Sequence, residues 1–264
     1  MTIDIEAASD LLWRAWHEGR VIDALPDGLR PRDRAEGYAV QARLAAHSPA
    51  PPAGWKIAAT SVAGQRHINV DGPLAGRILV ERVHANGAHL SMAGNRMKVA
   101  EPEFVFRVGR PLTPRAQPYV IDEVREAVAA LYLGIEFPDS RFADFVTAGE
   151  AQLIADNACA HVFVLGPRAS GTWQGIDLAA HRVRATVAGR ARQYEREGEG
   201  ANVLGDPYIA LTWLVNELSR LQLALTPDQF VTTGTCMTPL SIEPGDEVTV
   251  DYGAFGSMTC RFEP

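Results

Sequence analysis

Met97-Lys98-Val99-Ala100-Glu101-Pro102-Glu103-Phe104-Val105-Phe106 is an apolar run interrupted by two carboxylates at spacing two. On an extended segment that spacing puts both acids on one face. Pro102 between them has no N–H to give a ladder, which predicts an edge or a bulge there. A second apolar strand, Ala130-Leu131-Tyr132-Leu133-Gly134-Ile135-Glu136, ends in a third acid. Three converging carboxylates repel one another unless a cation neutralises them, and oxygen-only ligands suit Mg²⁺ or Mn²⁺. The competing reading is a solvent-facing Glu-x-Glu pair, because antiparallel sheets commonly leave one face wet. Val99, Phe104 and Phe106 weigh against it, but spacing alone does not choose between the two.

Outward from these strands, the composition is that of a globular protein. The chain has 264 residues, 47% of them hydrophobic, enough for one large core with a helical appendage. No apolar stretch approaches the ~20 residues of a membrane span. The N-terminus, Met1-Thr2-Ile3-Asp4-Ile5-Glu6, carries acids where a secretory leader carries positive charge, so a cytoplasmic location is expected. A formal charge of −7 disfavours nucleic acid or an anionic membrane as partner. Cys159, Cys236 and Cys260 have no metal or redox spacing and read as small buried fillers.

The chain opens with two amphipathic helices, Ala7 to His17 and Asp33 to Ala46, separated by Pro26 and Pro31. Ser48-Pro49-Ala50-Pro51-Pro52 stops the second and introduces a strand from Gly54 to Ala59. Residues Arg182 to Val187 and Arg190 to Tyr194 alternate around Ala188-Gly189 as a hairpin. Asp206-Pro207 caps a helix running from Tyr208 to Leu221. Strands Phe230 to Thr233, Glu247 to Tyr252 and Ser257 to Phe262 follow, divided by glycine-rich turns. The pattern predicts an α+β, barrel-like β-roll with peripheral helices in one domain, residues 1–50 helical and 51–264 the roll. No Gly-x-Gly-x-x-Gly follows a strand, so a dinucleotide fold is excluded by motif.

Five blocks occur in order: Gly54-Trp55-Lys56-Ile57-Ala58-Ala59-Thr60, Glu101-Pro102-Glu103, Leu133-Gly134-Ile135-Glu136, Ala155-Asp156-Asn157-Ala158 and Thr232-Thr233-Gly234-Thr235. With them the sequence resembles the 2-keto-4-pentenoate hydratase and 4-oxalocrotonate decarboxylase branch of the fumarylacetoacetate hydrolase superfamily. The resemblance covers nearly the whole chain and implies that superfamily's mixed β-roll. It also implies metal ligation by Glu101, Glu103 and Glu136, with glutamate at the third position where other branches place aspartate. Ala58 departs from the glycine common in its block, which narrows the pocket.

The same resemblance assigns the remaining site residues. Lys56, which by pattern alone could be a snorkelling edge residue, is implied to face the site and bind a substrate carboxylate or enolate oxygen. Asp71, in an Asn-Val-Asp-Gly-Pro segment that is also ordinary turn chemistry, is implied as general acid–base, with His67 a weaker candidate. Asp156, at a place where Asx residues cap and turn, is expected to orient a metal ligand or Lys56. Thr233, Gly234 and Thr235 are implied substrate contacts.

The implied reaction is hydration of a 2-hydroxy-2,4-dienoate to a 4-hydroxy-2-oxo acid, in which a divalent ion chelates the substrate's carboxylate and C2 oxygens and stabilises the enolate. Decarboxylation of a vinylogous 2-oxo diacid shares that enolate and is the alternative; hydrolytic C–C cleavage of an acylpyruvate is third and is disfavoured by Glu136, and a non-catalytic partner subunit is the non-enzyme reading. A diacid needs a cationic receptor for its distal carboxylate. Arg66, Arg77 and Arg141 are the candidates, and each reads as a solvated surface residue. A symmetric homo-oligomer is expected.

Overall fold

The computed structural model describes residues 3–264. Its first half contains α1 (Ile5–His17), α2 (Arg34–Leu44), β1 (Gly54–Ala58), α3 (Val62–His67), β2 (Leu74–Ile78), β3 (Val83–Ala85), β4 (His89–Ser91), β5 (Val99–Val108), α4 (Ile121–Ala127) and β6 (Val128–Phe137). There follow α5 (Glu150–Ala155), β7 (Val162–Arg168), β8 (Arg182–Ala188), β9 (Gln193–Glu199), α6 (Pro207–Arg220), β10 (Phe230–Thr235), β11 (Leu240–Ser241), β12 (Glu247–Asp251) and β13 (Ser257–Glu263). Four helices start on a side chain that satisfies a free backbone N–H: Asp4 accepts from Ala7, Asp33 from Glu36, Ser61 from Gly64 and Asp206 from Tyr208.

The strands form two mixed sheets, which makes the molecule α+β as expected. The larger runs β2-β1-β10-β5-β6-β7-β3, with β11 also paired to β5; the smaller runs β4-β13-β12-β8-β9. In the larger sheet β1 is parallel to β10 and β3 to β7, and the other pairs are antiparallel. The hairpin β8–β9 is present, but its second strand begins at Gln193. Gly189 N–H bonds to Arg192 O at 2.9 Å, so residues 189–192 make the turn and push the strand later than alternation suggested.

Pro102 lies at neither an edge nor a bulge of its own strand: it pairs in regular register with Ile135 on β6, and the nearby register shift falls on β10 between Thr232 and Thr235. Strand β5 is interior, flanked by β6 on one side and by β10 and β11 on the other. Thr235 lies opposite Glu103 and Leu240 opposite Ala100, so β10 leaves and β11 enters around Pro102. No ladder donor is needed where the neighbour changes, and the Pro102 carbonyl accepts from Cys236 N–H at 3.0 Å.

The main core lies between the sheets and under α6, with Phe104, Phe106, Leu131, Leu133, Tyr252 and Phe262 fully buried. Tyr252, just after β12, crosses to the larger sheet. Its hydroxyl lies 3.0 Å from Glu103 O and 2.8 Å from Gly134 O, and its ring meets Phe104 edge-on at 5.7 Å. The sheets are thus pinned together directly behind Glu103. A smaller cluster, with Leu12, Leu25, Val40 and Leu44, joins the N-terminal helices to Phe142 and Ala155 of the body. All three cysteines are buried and free. Among the described residues no helix is long and apolar enough to cross a membrane.

Candidate active site

Strand register brings the three acids together. Glu101 stands directly opposite Glu136 on β6, and Glu103, two residues along β5, shares their face. One carboxylate oxygen from each lies within 4.8 Å of the other two. Glu103 and Glu136 are buried, at 0% and 3% exposure, while Glu101 is part-exposed to a cavity. Glu103 Oε2 accepts hydrogen bonds from the Thr232 hydroxyl and from Gly234 N–H, the latter at 2.8 Å. Glu103 Oε1 and Glu136 Oε2 are buried without any partner.

Such a cluster is costly without a cation. Burial and then the neighbouring Glu136 raise the Glu101 carboxyl to about 7, although Lys56 opposes them. Burial, Glu136 and Glu101 push Glu103 well above the carboxylate range, and burial raises Glu136 as well. The donor set is oxygen only, it converges, and two of its buried oxygens are orphaned. These features fit a hard divalent cation.

Among the described residues Lys56 is the cation that acts on all three acids. Its β1 strand lies between β2 and β10, and its Nζ is 3.1 Å from Glu136 Oε1 and donates to Ala158 O at 2.8 Å. Burial works to lower its pKa, but the Glu136 and Glu101 carboxylates overcome it and hold the ammonium above its usual range. The side chain is 3% exposed, so it does not snorkel. Its stem crosses Gly76 on β2, where a Cβ would come within 3.0 Å of Lys56 Cγ and Cδ and 2.4 Å of Asn157 O.

The acceptor for Lys56 sits on an unusual turn. Asn157, Ala158 and Cys159 all have positive φ, at 57°, 51° and 61°, a left-handed run that costs L-residues energy. Two devices hold it. Asn157 Oδ1 accepts from Arg77 N–H at 2.6 Å and its Nδ2 donates to Arg77 O at 2.9 Å, so an amide side chain completes the outer edge of β2. Asp156 is ion-paired to buried Arg141 and accepts from the Ser140 hydroxyl at 2.6 Å and Arg141 N–H at 3.0 Å. Asp156 therefore touches neither a clustered acid nor Lys56, and anchors the turn that does.

Glu101 and Lys56 open onto a cavity of about 500 Å³, also lined by Ala58, Thr60, His67, Gly234 and Thr235. Gly234 has φ +94°, and a Cβ there would meet Thr60 Oγ1 at 2.1 Å. Burial pushes the Cys159 thiol, at the same wall, up to about 12, which leaves it inert. A second cavity of about 340 Å³, lined by Trp16, Arg82, Arg141 and His161 among others, contains none of the clustered acids.

Several expected residues fall elsewhere. Asp71 is exposed and does not line the cavity, because Val70 and Pro73 on either side turn inward. His67, on the same segment, does line it. Thr233 is buried with its hydroxyl donating to Phe104 O at 3.0 Å, away from the acids. Thr232 is the threonine that holds Glu103, and it was missed because only the β10–β5 pairing reveals which hydroxyl meets the Glu103 carboxylate. Arg77 and Arg141 are buried rather than solvated: Arg77 stacks on Trp55 at 4.6 Å and donates to Gln41, and Arg141 donates to the Asp156 carboxylate and three backbone carbonyls. Arg66 is exposed.

A mixed sheet gathers three acids and an ammonium, which meet the cavity through Glu101 and Lys56. The chain matches the family described as fumarylacetoacetate (FAA) hydrolase C-terminal over residues 36–263. It is 30% identical over 260 residues to 2-keto-4-pentenoate hydratase 2 of Dechloromonas aromatica (strain RCB), covering 97% of each chain. It is 27% identical over 263 residues to 2-keto-4-pentenoate hydratase of Paraburkholderia xenovorans (strain LB400), covering 98% of this chain and 94% of that one. The structure of 4-oxalocrotonate decarboxylase from Pseudomonas putida G7, complexed with magnesium and adipate, superposes with a TM-score of 0.85 at 23% identity, over 98% of this chain and 97% of that one. The chain belongs to the fumarylacetoacetate hydrolase family, in the branch that holds these hydratases and decarboxylases.

Proposed function

We propose that the chain is a divalent-metal-dependent hydratase that adds water to a 2-hydroxy-2,4-dienoate, giving a 4-hydroxy-2-oxo acid. The observation that carries this reading is the Glu101, Glu103 and Glu136 cluster with Lys56 beside it, reached through Glu101 and Lys56 from a cavity that among the described residues is lined by no arginine. Glu101, Glu103 and Glu136 would hold Mg²⁺ or Mn²⁺, which supplies Lewis acidity toward the substrate's carboxylate and C2 oxygens.

The chain's own residues supply the rest. An ammonium has three N–H donors, and Lys56 spends two on Glu136 and Ala158 O. The third is free for the C2 oxygen as charge develops there. Thr60 presents a hydroxyl at the same wall for the substrate carboxylate, while the Thr235 hydroxyl is turned back, donating to Met237 O at 2.9 Å. Protons must leave the C2 hydroxyl, reach C5 to give the α,β-unsaturated ketone, and pass from water to C3 as its oxygen adds at C4. His67 lines the cavity and takes the acid–base role in place of Asp71, which lies outside it. A symmetric homo-oligomer belongs to the same reading.

Decarboxylation of a diacid lacks its receptor, since Arg77 and Arg141 are committed inside the protein and Arg66 does not line the cavity. A non-catalytic subunit would be expected to lose an acid or the lysine, and all four stand. The test is to offer 2-hydroxypenta-2,4-dienoate and 2-oxohex-3-enedioate separately with Mg²⁺, following products by NMR and CO₂ directly. Hydration of the monoacid is expected. Prompt CO₂ from the diacid with no hydration of the monoacid overturns the choice.

A further inference from the structure

We infer that the preferred substrate is a monocarboxylate dienoate carrying an apolar alkyl or aryl substituent at C5, so that the product is the 4-hydroxy-2-oxo acid with that substituent on C5. The inference rests on the hydratase reading and deepens it. A cavity of about 500 Å³ is in the range that holds drug-sized ligands, far larger than the eight heavy atoms of a five-carbon dienoate. The charged floor fixes which end of the substrate goes down: the carboxylate and C2 oxygens belong with Lys56 and the acids, so C5 and anything on it lie along the remaining wall.

That wall is largely apolar, with Ser61, His67, Asn202 and Thr238 its polar members. Ile68, Met97, Phe145, Leu153, Met237 and Pro239 line it, and among the described residues Lys56 is the cavity's only lysine or arginine and Glu101 its only acid. Ile68, Met97 and Phe145 are partly buried against the main core, so one side of each packs into the protein while another faces the cavity. A distal carboxylate there would lose its water and gain no cation. An alkyl chain would bury apolar surface against six side chains at no such cost.

The experiment separates ligand class from chemistry. Dissociation constants of three saturated 2-oxo acids, 2-oxopentanoate, 2-oxooctanoate and 2-oxoheptanedioate, are measured by calorimetry on Mg²⁺-loaded protein. Three added methylene groups are expected to tighten binding by about ten- to fiftyfold, and the dioate to bind no better than 2-oxopentanoate. Phe145→Arg, which puts a guanidinium on the wall, should reverse that order, with 2-oxopentanoate as the internal control for an intact floor. Equal affinity for 2-oxopentanoate and 2-oxooctanoate, or tightest wild-type binding of the dioate, overturns the inference. Turnover of 2-hydroxyocta-2,4-dienoate against 2-hydroxypenta-2,4-dienoate is followed in parallel. If 2-oxooctanoate binds tightest and neither dienoate is hydrated, the reaction fails and the ligand class stands. If both are hydrated at equal kcat/KM, the reaction stands and the ligand class fails.

Discussion

At the scale of single residues, the site is a balance of one ammonium against three carboxylates. Lys56→Met keeps the apolar stem that packs on Gly76 and removes only the charge. The expected loss is about 2–4 kcal/mol of transition-state stabilisation, or roughly two to three decades in kcat, with the fold retained. Steady-state kinetics beside a far-UV spectrum checks this, and wild-type kinetics would show that the ammonium is structural. That Glu101 and Glu103 share one strand face is legible from their spacing, whereas spacing alone does not choose between a cation site and a solvent-facing pair. The role of Thr232 is not legible. Three threonines within four residues offer three hydroxyls, and the one facing Glu103 is decided by a bulge between Thr232 and Thr235.

At the scale of elements, the left-handed turn after α5 connects the sheet edge to Lys56. Asn157 is its hinge pin: it satisfies both backbone groups of Arg77 and, as an asparagine, tolerates positive φ. Asn157→Ala leaves that buried N–H and carbonyl unpaired and should destabilise the protein by about 2–4 kcal/mol. It should also lower turnover, because Ala158 O no longer fixes Lys56. Chemical denaturation and kinetics on one preparation read both effects; loss of stability with unchanged turnover would confine Asn157 to the fold. The sequence marks Asp156-Asn157 as a place of capping, which it is, yet carries no sign of what it caps. Arg77 and Arg141 look solvated for the same reason. Their partners Gln41, Trp55 and Asp156 come together only in the folded chain, and a lone arginine in a sequence shows none of them.

For the whole molecule, the acid cluster makes stability depend on pH and metal together. Glu101 has a carboxyl raised from 4.5 to about 7 in the metal-free protein. A raised carboxyl stabilises the fold fully below the unfolded value near 4.5, and that contribution is lost as pH rises through about 7. Glu103 and Glu136 shift in the same direction. The metal-free Tm should therefore fall between about pH 5 and 8, while the increase in Tm produced by Mg²⁺ grows over the same range as protons cease to compete. Calorimetric melts with and without Mg²⁺ check both slopes, and a metal-free Tm flat across that range would mean that the carboxylates are not strained. The α+β class, the N-terminal helices and most strands are readable from periodicity. The order of strands in the larger sheet is not, because β1 pairs with β10 across most of the chain's length, and pairing at that separation leaves no local trace. The most direct test of the account is to strip the protein with chelator, titrate Mn²⁺ back, and read bound ion by EPR and 4-hydroxy-2-oxopentanoate by NMR in the same samples. Turnover of 2-hydroxypenta-2,4-dienoate should rise in proportion to bound Mn²⁺ and stop rising at one ion per chain, with neither signal recovered in Glu103→Gln. Full turnover in the stripped protein, or wild-type metal binding and turnover in that variant, would contradict it.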